Sequence, residues 1–295
     1  MPTLRDIRKR LKAIKGTKKI TSAMKMVAAA KLRKVQDRML NFRPYAIKMD
    51  AVLSDLARAV EGSGGLHPLL TRRTKKKVEV VVMTSDKGLC GAFNSNLLRA
   101  ASQHIAALKK EGLEVGVSVI GRKARDYFRR RDIPPRKIWI GLSGKLNYAS
   151  VQEIANDLTE NYTNETFDEI TLLYNEFKSL IQQKVTVVRL LPIGGLEPEE
   201  ASAAEAGPFA PFLYEPSREV LFDRLLPKHI EIQVYRALLE SQAAEEAARM
   251  AAMENASKNC EDLIVKVTLQ ANKVRQAGIT KELMDIVGGV EALKQ

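Results

Sequence analysis

The segment whose residue types come closest to a ligand-binding loop runs from Thr84 to Asn94 and reads TSDKGLCGAFN. It follows a predicted strand and precedes a predicted helix, where nucleotide-binding loops lie in α/β proteins. Its spacing matches neither GxGxxG nor a P-loop motif, which disfavours both kinds of site. A tight turn that needs Gly88 and Gly91 for its backbone is the simpler interpretation. An α/β enzyme acting on a phosphorylated ligand at Ser85–Gly91 stays open as an alternative.

Histidine, cysteine and carboxylate residues show no pattern typical of a catalytic or metal site. The three histidines fall in different predicted elements, and Cys90 and Cys260 are far apart in the chain. No CxxC pair and no cluster of histidine and cysteine is present. The sequence therefore predicts no metal, no cofactor and no catalytic site of its own, and we interpret both cysteines as buried apolar residues.

Positive charge is concentrated near the N-terminus. The formal net charge is +13, and residues 1–44 carry 14 lysines and arginines against two aspartates. Such an arm could bind nucleic acid, an anionic membrane or a protein surface lined with carboxylates. Aromatic residues are not interleaved with the basic ones, which argues against nucleic acid. A basic coiled-coil nucleic-acid-binding protein nevertheless remains an alternative.

Long helices are predicted at both ends of the chain. Apolar residues recur every three to four positions over 1–60, and Ile20 belongs to this stripe. A second helix is predicted over 217–295, and we expect Pro44 and Pro227 to kink or interrupt the two helices. Helices of this length with one apolar stripe need partners of matching length. The two ends are therefore predicted to pair as a long antiparallel coiled coil.

The middle of the chain, residues 76–192, is predicted to form a separate α/β domain. Strands are predicted at 78–83, 115–120, 137–140, 169–177 and 184–191. Their alternation with helices predicts a mostly parallel, Rossmann-like sheet, and the short last connection predicts an antiparallel hairpin. Residues 193–216, rich in proline, are predicted to be an irregular linker. The fold class is thus a mix of α+β and α/β.

Two signals for membrane insertion or export are missing from the sequence. No window holds about 18 uninterrupted apolar residues, so we expect no membrane span. The basic N-terminus lacks the apolar stretch of a secretory signal. The expected location is the cytosol or the cytosolic side of a membrane.

Seven segments of the chain resemble the gamma subunit, or central stalk, of F-type ATP synthases of the bacterial type. They are Lys19–Lys34, Arg43–Tyr45, Ser85–Gly91, Leu213–Pro216, Glu245–Met253, Arg275–Glu282 and Asp285–Gly289. The resemblance covers essentially the whole chain. Gly278 and Val290 depart from the usual pattern, which favours a small residue such as Ala at both positions, and we expect them to loosen the C-terminal tip.

The resemblance implies a rotor shaft that couples ion flow to ATP synthesis or hydrolysis. In this family, an antiparallel helical pair passes through a hexamer of alternating alpha and beta subunits. The sheet domain stands as a foot on the membrane c-ring, with epsilon beside it. The resemblance further implies no direct nucleotide binding and a peripheral location at the cytoplasmic face of the energy-transducing membrane.

The resemblance also assigns contact residues. Arg275, Gln276 and Thr280 are expected to contact the beta subunits, with Met24 and Lys25 opposite on the first helix. An apolar tip that turns in a bearing is expected to comprise Ile286, Val287, Val290 and Leu293. Tyr214 and Glu215 are expected in the foot near the c-ring and epsilon.

Overall fold

The computed structural model describes residues 3–60, 67–142, 144, 146–180, 182–194, 215 and 218–292. Its elements are α1 Leu4–Val60, β1 Lys77–Met83, α2 Phe93–Lys110, β2 Glu114–Ile120, α3 Arg122–Arg129, β3 Ile138–Trp139, α4 Tyr148–Thr163, β4 Glu169–Phe177, β5 Gln183–Leu191 and α5 Arg218–Ala292. The chain divides into two compact units, one of Met1–Ala29 with Arg249–Gln295 and one of Ala30–Ala248. We call them the helical unit and the sheet unit.

The sheet unit contains one five-stranded sheet with the order β3-β2-β1-β4-β5. β1 runs parallel to β2 and β4, β3 runs parallel to β2, and β5 is antiparallel to β4. The predicted mostly parallel sheet and its terminal hairpin are therefore confirmed. β1 is buried along all but its first residue, as expected for a central strand covered on both faces.

Successive residues of β1 point to opposite faces of the sheet and supply two separate cores. Val78, Val80 and Val82 pack with apolar residues of α2 and α3. Val81 and Met83 pack in the larger cluster, with α4 and with the parts of α1 and α5 that belong to this unit. The run of valines thus explains both layers, because a strand covered on both faces needs apolar residues at every position.

Neither proline interrupts its helix. α1 runs through Pro44 and α5 runs through Pro227, so of the expected kink or interruption the interruption is wrong, and a kink stays a prediction. A proline removes the hydrogen bond to the carbonyl four residues earlier. Those carbonyls belong to Leu40 and Asp223, two exposed residues, which favours replacement of the lost donor by water.

The helical unit consists of two antiparallel helix segments. Three side-chain contacts join them, namely Lys18 with Glu261, Thr21 with Ser257 and Lys25 with Glu254. The partner numbers fall along α5 as they rise along α1, which only antiparallel helices can produce. The predicted antiparallel pairing of the two chain ends is confirmed.

The apolar seam of the helical unit differs from the prediction at Ile20 and at Leu263, which is 41% exposed. Ile20 is 62% exposed, whereas the neighbouring Thr21 is buried. The seam instead contains Ile7, Ala28 and, on α5, residues that include Met253 and Val267. The prediction for Ile20 is wrong because Thr21 finds a hydrogen-bonding partner across the pair, which an apolar count cannot reveal.

A buried ionic network ties β3 to the centre of the sheet. Glu79 is fully buried in β1 and accepts hydrogen bonds from Ser118 at 2.5 Å and from Arg136 Nε at 2.8 Å. Arg136 also pairs with Asp157 of α4. Burial raises the pKa of Glu79, while Ser118 and Arg136 oppose that rise. The network holds the short β3 in place, since Arg136 lies just before that strand.

Truncation of Glu79 should strongly destabilise the sheet unit. Glu79→Ala leaves Arg136 without one carboxylate and Ser118 without its acceptor, so we expect a loss of about 3 kcal/mol in the free energy of unfolding. Urea unfolding followed by circular dichroism measures it. Glu153→Ala, at an exposed position of α4, is the control and should change stability by less than about 0.5 kcal/mol. Equal effects for the two variants would contradict the structural role of the network.

Gly121 directly follows β2 and has a backbone conformation that residues with a side chain rarely adopt. Its φ is +94° and its ψ is 148°, and a Cβ there would lie 2.2 Å from the carbonyl oxygen of Thr84. Thr84 is fixed in turn, because its hydroxyl accepts a hydrogen bond from the Ala124 amide at 2.9 Å. A side chain at position 121 would therefore separate the ends of β1 and β2.

We expect Gly121→Ala to lower the free energy of unfolding by about 3 kcal/mol, through backbone strain together with the clash. Gly112→Ala is the matched control, because Gly112 also has a positive φ but has open space around its Cα. The control should cost only about 1 kcal/mol. Thermal melts of the two variants side by side test this, and a control as unstable as Gly121→Ala would refute the clash.

Candidate functional site

The first candidate site is the crevice at the carboxyl ends of the strands. The chain passes from β3, at one side of β1, to β4 at its other side, which makes the gap between β1 and β4 a topological switch point. Ligands of open α/β sheets bind outside such a point. The loop after β1, residues 84–92, lies there, as the sequence indicated.

Polar side chains of this loop are bonded to one another. Asn94 Nδ2 donates to Ser85 Oγ at 2.8 Å, and Asn94 Oδ1 accepts from the Ser85 amide at 3.1 Å. Ser85 Oγ donates to the Lys87 carbonyl at 2.5 Å. The polar groups of Ser85 and Asn94 therefore hold the turn.

α5 fills the space above the loop. Ala244 packs against Cys90 and Phe93. Beside them, Leu238, Ser241 and Glu245 of α5 help to line a cavity of about 30 Å³. Such a volume suits about one water molecule, whereas small-molecule sites occupy hundreds of Å³. The cavity that the described residues form in this crevice is therefore much smaller than a typical nucleotide site.

A larger cavity, of about 390 Å³, lies between the β4–β5 hairpin and the helices of the sheet unit. One of the charged side chains that line it is paired, since Arg236 Nε lies 3.0 Å from Glu240. His229 Nδ1 lies 3.3 Å from Asp50 without a hydrogen bond between them. No activated nucleophile lines this cavity among the described residues, so its chemistry does not indicate catalysis.

Potential metal ligands do not converge. His67 lies 3.8 Å from Asp223, and burial lowers its pKa despite that carboxylate. Within the part of the chain that the structure describes, no three His, Cys, Asp or Glu residues are placed to hold a metal ion. Over the same part, no helix is long and apolar enough to cross a membrane.

The second candidate site is the surface of the paired helices. Lys25 is half-buried and its Nζ lies 3.3 Å from Glu254, so its charge is already paired within the chain. Arg275, Gln276 and Thr280 are all exposed on α5. Thr280 Oγ1 donates to the Gln276 carbonyl at 3.0 Å, which fixes its side chain along the helix.

The expected contact residues lie at two levels of the helical unit. Met24 and Lys25 are level with Glu254. Arg275 is 21 residues further along α5, which corresponds to about 30 Å of helix. The structure therefore does not place Arg275, Gln276 and Thr280 beside Met24 and Lys25, and any partner that touches both sets must span that distance.

The end of α5 extends past the start of α1. Fourteen residues separate Lys18 from Leu4, and the same step beyond its partner Glu261 reaches Arg275. The helix after Arg275 has no residue of α1 beside it within the described chain. Its apolar side chains are therefore open to solvent, and Ile286 and Val287 are 67% and 54% exposed. Exposed apolar clusters of this kind mark contact surfaces.

Several of the expected site residues lie outside the described structure. Val290 falls in α5, but its side chain is not described, and Leu293 and Tyr214 fall outside the described residues. Glu215 is described and exposed.

Sequence reasoning missed one surface of the helical unit. Val27 and Ile20 are exposed on α1, although both have the apolar character of seam residues. In the sequence, Val27 and Ala28 are adjacent apolar residues, and either could lie in the seam. The contact of Thr21 with Ser257 on α5 shows that the side of α1 that carries Thr21 and Ala28 is the buried one.

Comparisons with known proteins agree on one family. The family model described as ATP synthase matches residues 3–293. ATP synthase gamma chains from Anaeromyxobacter sp. (strain K) and Geobacter metallireducens are 49% and 45% identical to this chain, each over 100% of both chains.

Two solved structures have a similar fold. One is the central stalk and c-ring of Tetrahymena thermophila mitochondrial ATP synthase, with a TM-score of 0.60, 28% identity and coverage of 81% of this chain and 99% of that chain. The other, from the OSCP/F1/c-ring structure of Euglena gracilis mitochondrial ATP synthase, has a TM-score of 0.66 at 21% identity, over 98% of this chain and 94% of that chain. Because the family model and the full-length relatives match essentially the whole chain, the chain belongs to the ATP synthase gamma chain family.

Proposed function

We propose that the chain is the central rotor shaft of an F-type ATP synthase. It couples ion flow through the membrane c-ring to ATP synthesis or hydrolysis at the alpha–beta hexamer by rotation. The observation that carries the proposal is the antiparallel pairing of the two chain ends, held by Lys18–Glu261, Thr21–Ser257 and Lys25–Glu254. Relatives named as gamma chains match over their full length, which supports it.

The physical basis of the coupling is linkage between a single shaft and repeated partners. A paired shaft presents different side chains around its circumference, so identical subunits surrounding it meet different surfaces. A contact that favours one conformation of a subunit shifts its equilibrium by the difference in binding free energy. Rotation exchanges those contacts, so the nucleotide affinities of the beta subunits change in turn.

The proposed partners are the alpha and beta subunits, epsilon and the c-ring. The similar solved chains come from structures described as central stalk with c-ring and as F1 with c-ring. Arg275, Gln276 and Thr280 contact the beta subunits, and so do Met24 and Lys25 at the second level. The exposed guanidinium and amide of the first two suit carboxylates and carbonyls on those subunits.

The tip and foot complete the proposed contacts. Ile286 and Val287, with Val290 and Leu293, form the apolar tip that turns in a bearing; the exposure of the first two supports this role. Tyr214 and Glu215 contribute to the foot near the c-ring and epsilon.

The domain organisation that goes with this function is a proposal as well. It assigns 1–60 and 217–295 to the shaft, 76–192 to the foot and 193–216 to the linker. The chain has no catalytic site of its own and binds no nucleotide directly, which fits the closed crevice of about 30 Å³. It acts as a peripheral subunit at the cytoplasmic face of the energy-transducing membrane.

No specific observation favours the nucleic-acid alternative. Of the lysines on α1, Lys18 and Lys25 pair with glutamates of α5 in the helical unit. In the sheet unit, Lys31 likewise lies 3.6 Å from Glu246. Paired lysines are poor phosphate ligands, because binding DNA would require breaking each pair.

Reconstitution tests the proposed function. The full chain is mixed with the alpha and beta subunits of a bacterium whose gamma chain is similar to it. Membranes of that bacterium, which carry the c-ring and the remaining subunits, are then added. We expect ATP hydrolysis by the assembled complex and ATP-driven ion pumping, both dependent on the chain. A complex that hydrolyses ATP and pumps ions equally well without the chain would falsify the proposal.

The double variant Arg275→Ala/Gln276→Ala should impair turnover and leave the fold intact. Loss of a charged hydrogen bond to a partner lowers the rate of ATP synthesis by roughly tenfold. Because both side chains are exposed in the free chain, the free energy of unfolding should change by less than about 0.5 kcal/mol. Lys109→Ala, at an exposed position on α2, controls for the loss of one surface charge. Normal synthesis rates in the double variant would remove both residues from the beta contact.

A further inference from the structure

α1 carries two competing apolar stripes in the helical unit. The observed seam buries Thr21 and Ala28, whereas Ile20 and Val27 are 62% and 56% exposed. Met24 lies between the two stripes and is half-buried. A modest rotation of α1 about its axis would centre Met24 and bring Ile20 and Val27 toward α5. The same rotation would turn Ile7, which is buried in the observed seam, toward solvent, so apolar burial alone does not decide between the two arrangements.

A chain of hydroxyl groups favours the observed arrangement. Thr21 Oγ1 lies 2.7 Å from Ser257 Oγ and 3.0 Å from the Lys18 carbonyl. With Thr21 donating to that carbonyl, Ser257 donates to Thr21, and both hydroxyls are satisfied inside the seam. Rotation of α1 would break this contact and leave a hydroxyl without its partner in a partly buried layer.

Two ion pairs flank the hydroxyl contact. Lys18 Nζ lies 2.8 Å from Glu261, and Lys25 Nζ lies 3.3 Å from Glu254. Hydrogen bonds from these lysines lower the pKa of both glutamates, as expected for paired carboxylates. Each exposed pair contributes little alone. Lys18, Thr21 and Lys25 share one side of α1, however, so one rotation breaks all three contacts together.

We propose that these three polar cross-links are positioning contacts that fix the rotational setting of α1 against α5. They keep Ile20 and Val27 on the outer surface of the helical unit, where a partner subunit can contact them. Polar groups in a helix seam serve this purpose elsewhere by excluding arrangements that apolar packing would tolerate. The partner they prepare for has an apolar surface edged with carboxylates, because Lys19 is exposed beside Ile20. Only this last step rests on the proposed rotor function.

Thiol labelling of the full chain tests the rotational setting. Val27→Cys and Ala28→Cys place single thiols on adjacent residues, one exposed and one buried. Native Cys90 and Cys260 are buried, and the parent chain measures their background labelling. We expect Cys at 27 to react at least about tenfold faster than Cys at 28, whose reaction requires local opening.

Charge reversal then removes the cross-links. In a Lys18→Glu/Lys25→Glu background, we expect labelling at 27 to slow and labelling at 28 to accelerate. Adding Glu254→Lys and Glu261→Lys recreates both pairs with opposite polarity and should restore the parent rates. Unchanged rates after reversal would overturn the proposal. Fast labelling at both positions would also overturn it, because the cross-links would then maintain the pairing of the two helices rather than the rotational setting of α1.

Coupling provides a second readout. Lys18→Glu should lower the number of ions pumped per ATP hydrolysed in the reconstituted complex, and Lys18→Glu/Glu261→Lys should restore it. A stability role alone would not be expected to change this ratio in assembled complexes. If the parent chain fails to support pumping, the rotor function is wrong, while the labelling rates still decide the rotational setting. Normal coupling by Lys18→Glu beside a working parent would contradict the positioning role alone.

Discussion

Pairing between the first and last helices is the constraint on which the rest of the structure depends. Neither helix could remain ordered in water with its own apolar stripe exposed, and each supplies what the other lacks. In the sheet unit, the chain that connects α1 to α5 must therefore start and finish close together. The five-stranded sheet satisfies that requirement, because α1 and α5 contribute to the same core on one of its faces.

α5 also contacts the crevice in which many α/β proteins bind a nucleotide. The order of the strands creates a crevice beside β1, and in many α/β proteins it stays open. Here Ala244 of α5 packs on Cys90 and Phe93, and the polar residues of the loop bond to each other. The same helix that belongs to the shaft closes the crevice. The contact of Ala244 with Cys90 and Phe93 occupies this crevice and attaches α5 to the segment after β1.

Periodicity was sufficient to predict the two long helices and a mostly parallel sheet, and the short last connection predicted the antiparallel hairpin, whereas the order of the strands was not predicted. Periodicity did not decide which of two adjacent residues of α1 lies in the seam. Ile20 and Thr21 are adjacent, and only Ser257, 236 residues away, decides which one is buried. Pro44 and Pro227 do not end their helices, and the residues that lose a backbone donor there, Leu40 and Asp223, are exposed. Glu79 could not be recognised as the centre of a network, since its partners Ser118 and Arg136 come from distant segments.

The unequal reach of the two helices has a mechanical consequence. Up to Arg275 the unit has two helices joined by cross-links, whereas beyond it α5 continues without α1 beside it in the described part of the chain. A lone helix bends and twists more easily than a cross-linked pair, because no second backbone shares the strain. The stiffness of the molecule therefore falls abruptly at one residue. Under a turning load, elastic deformation would gather in that final segment, which would act as a compliant spring at the end of a rigid lever.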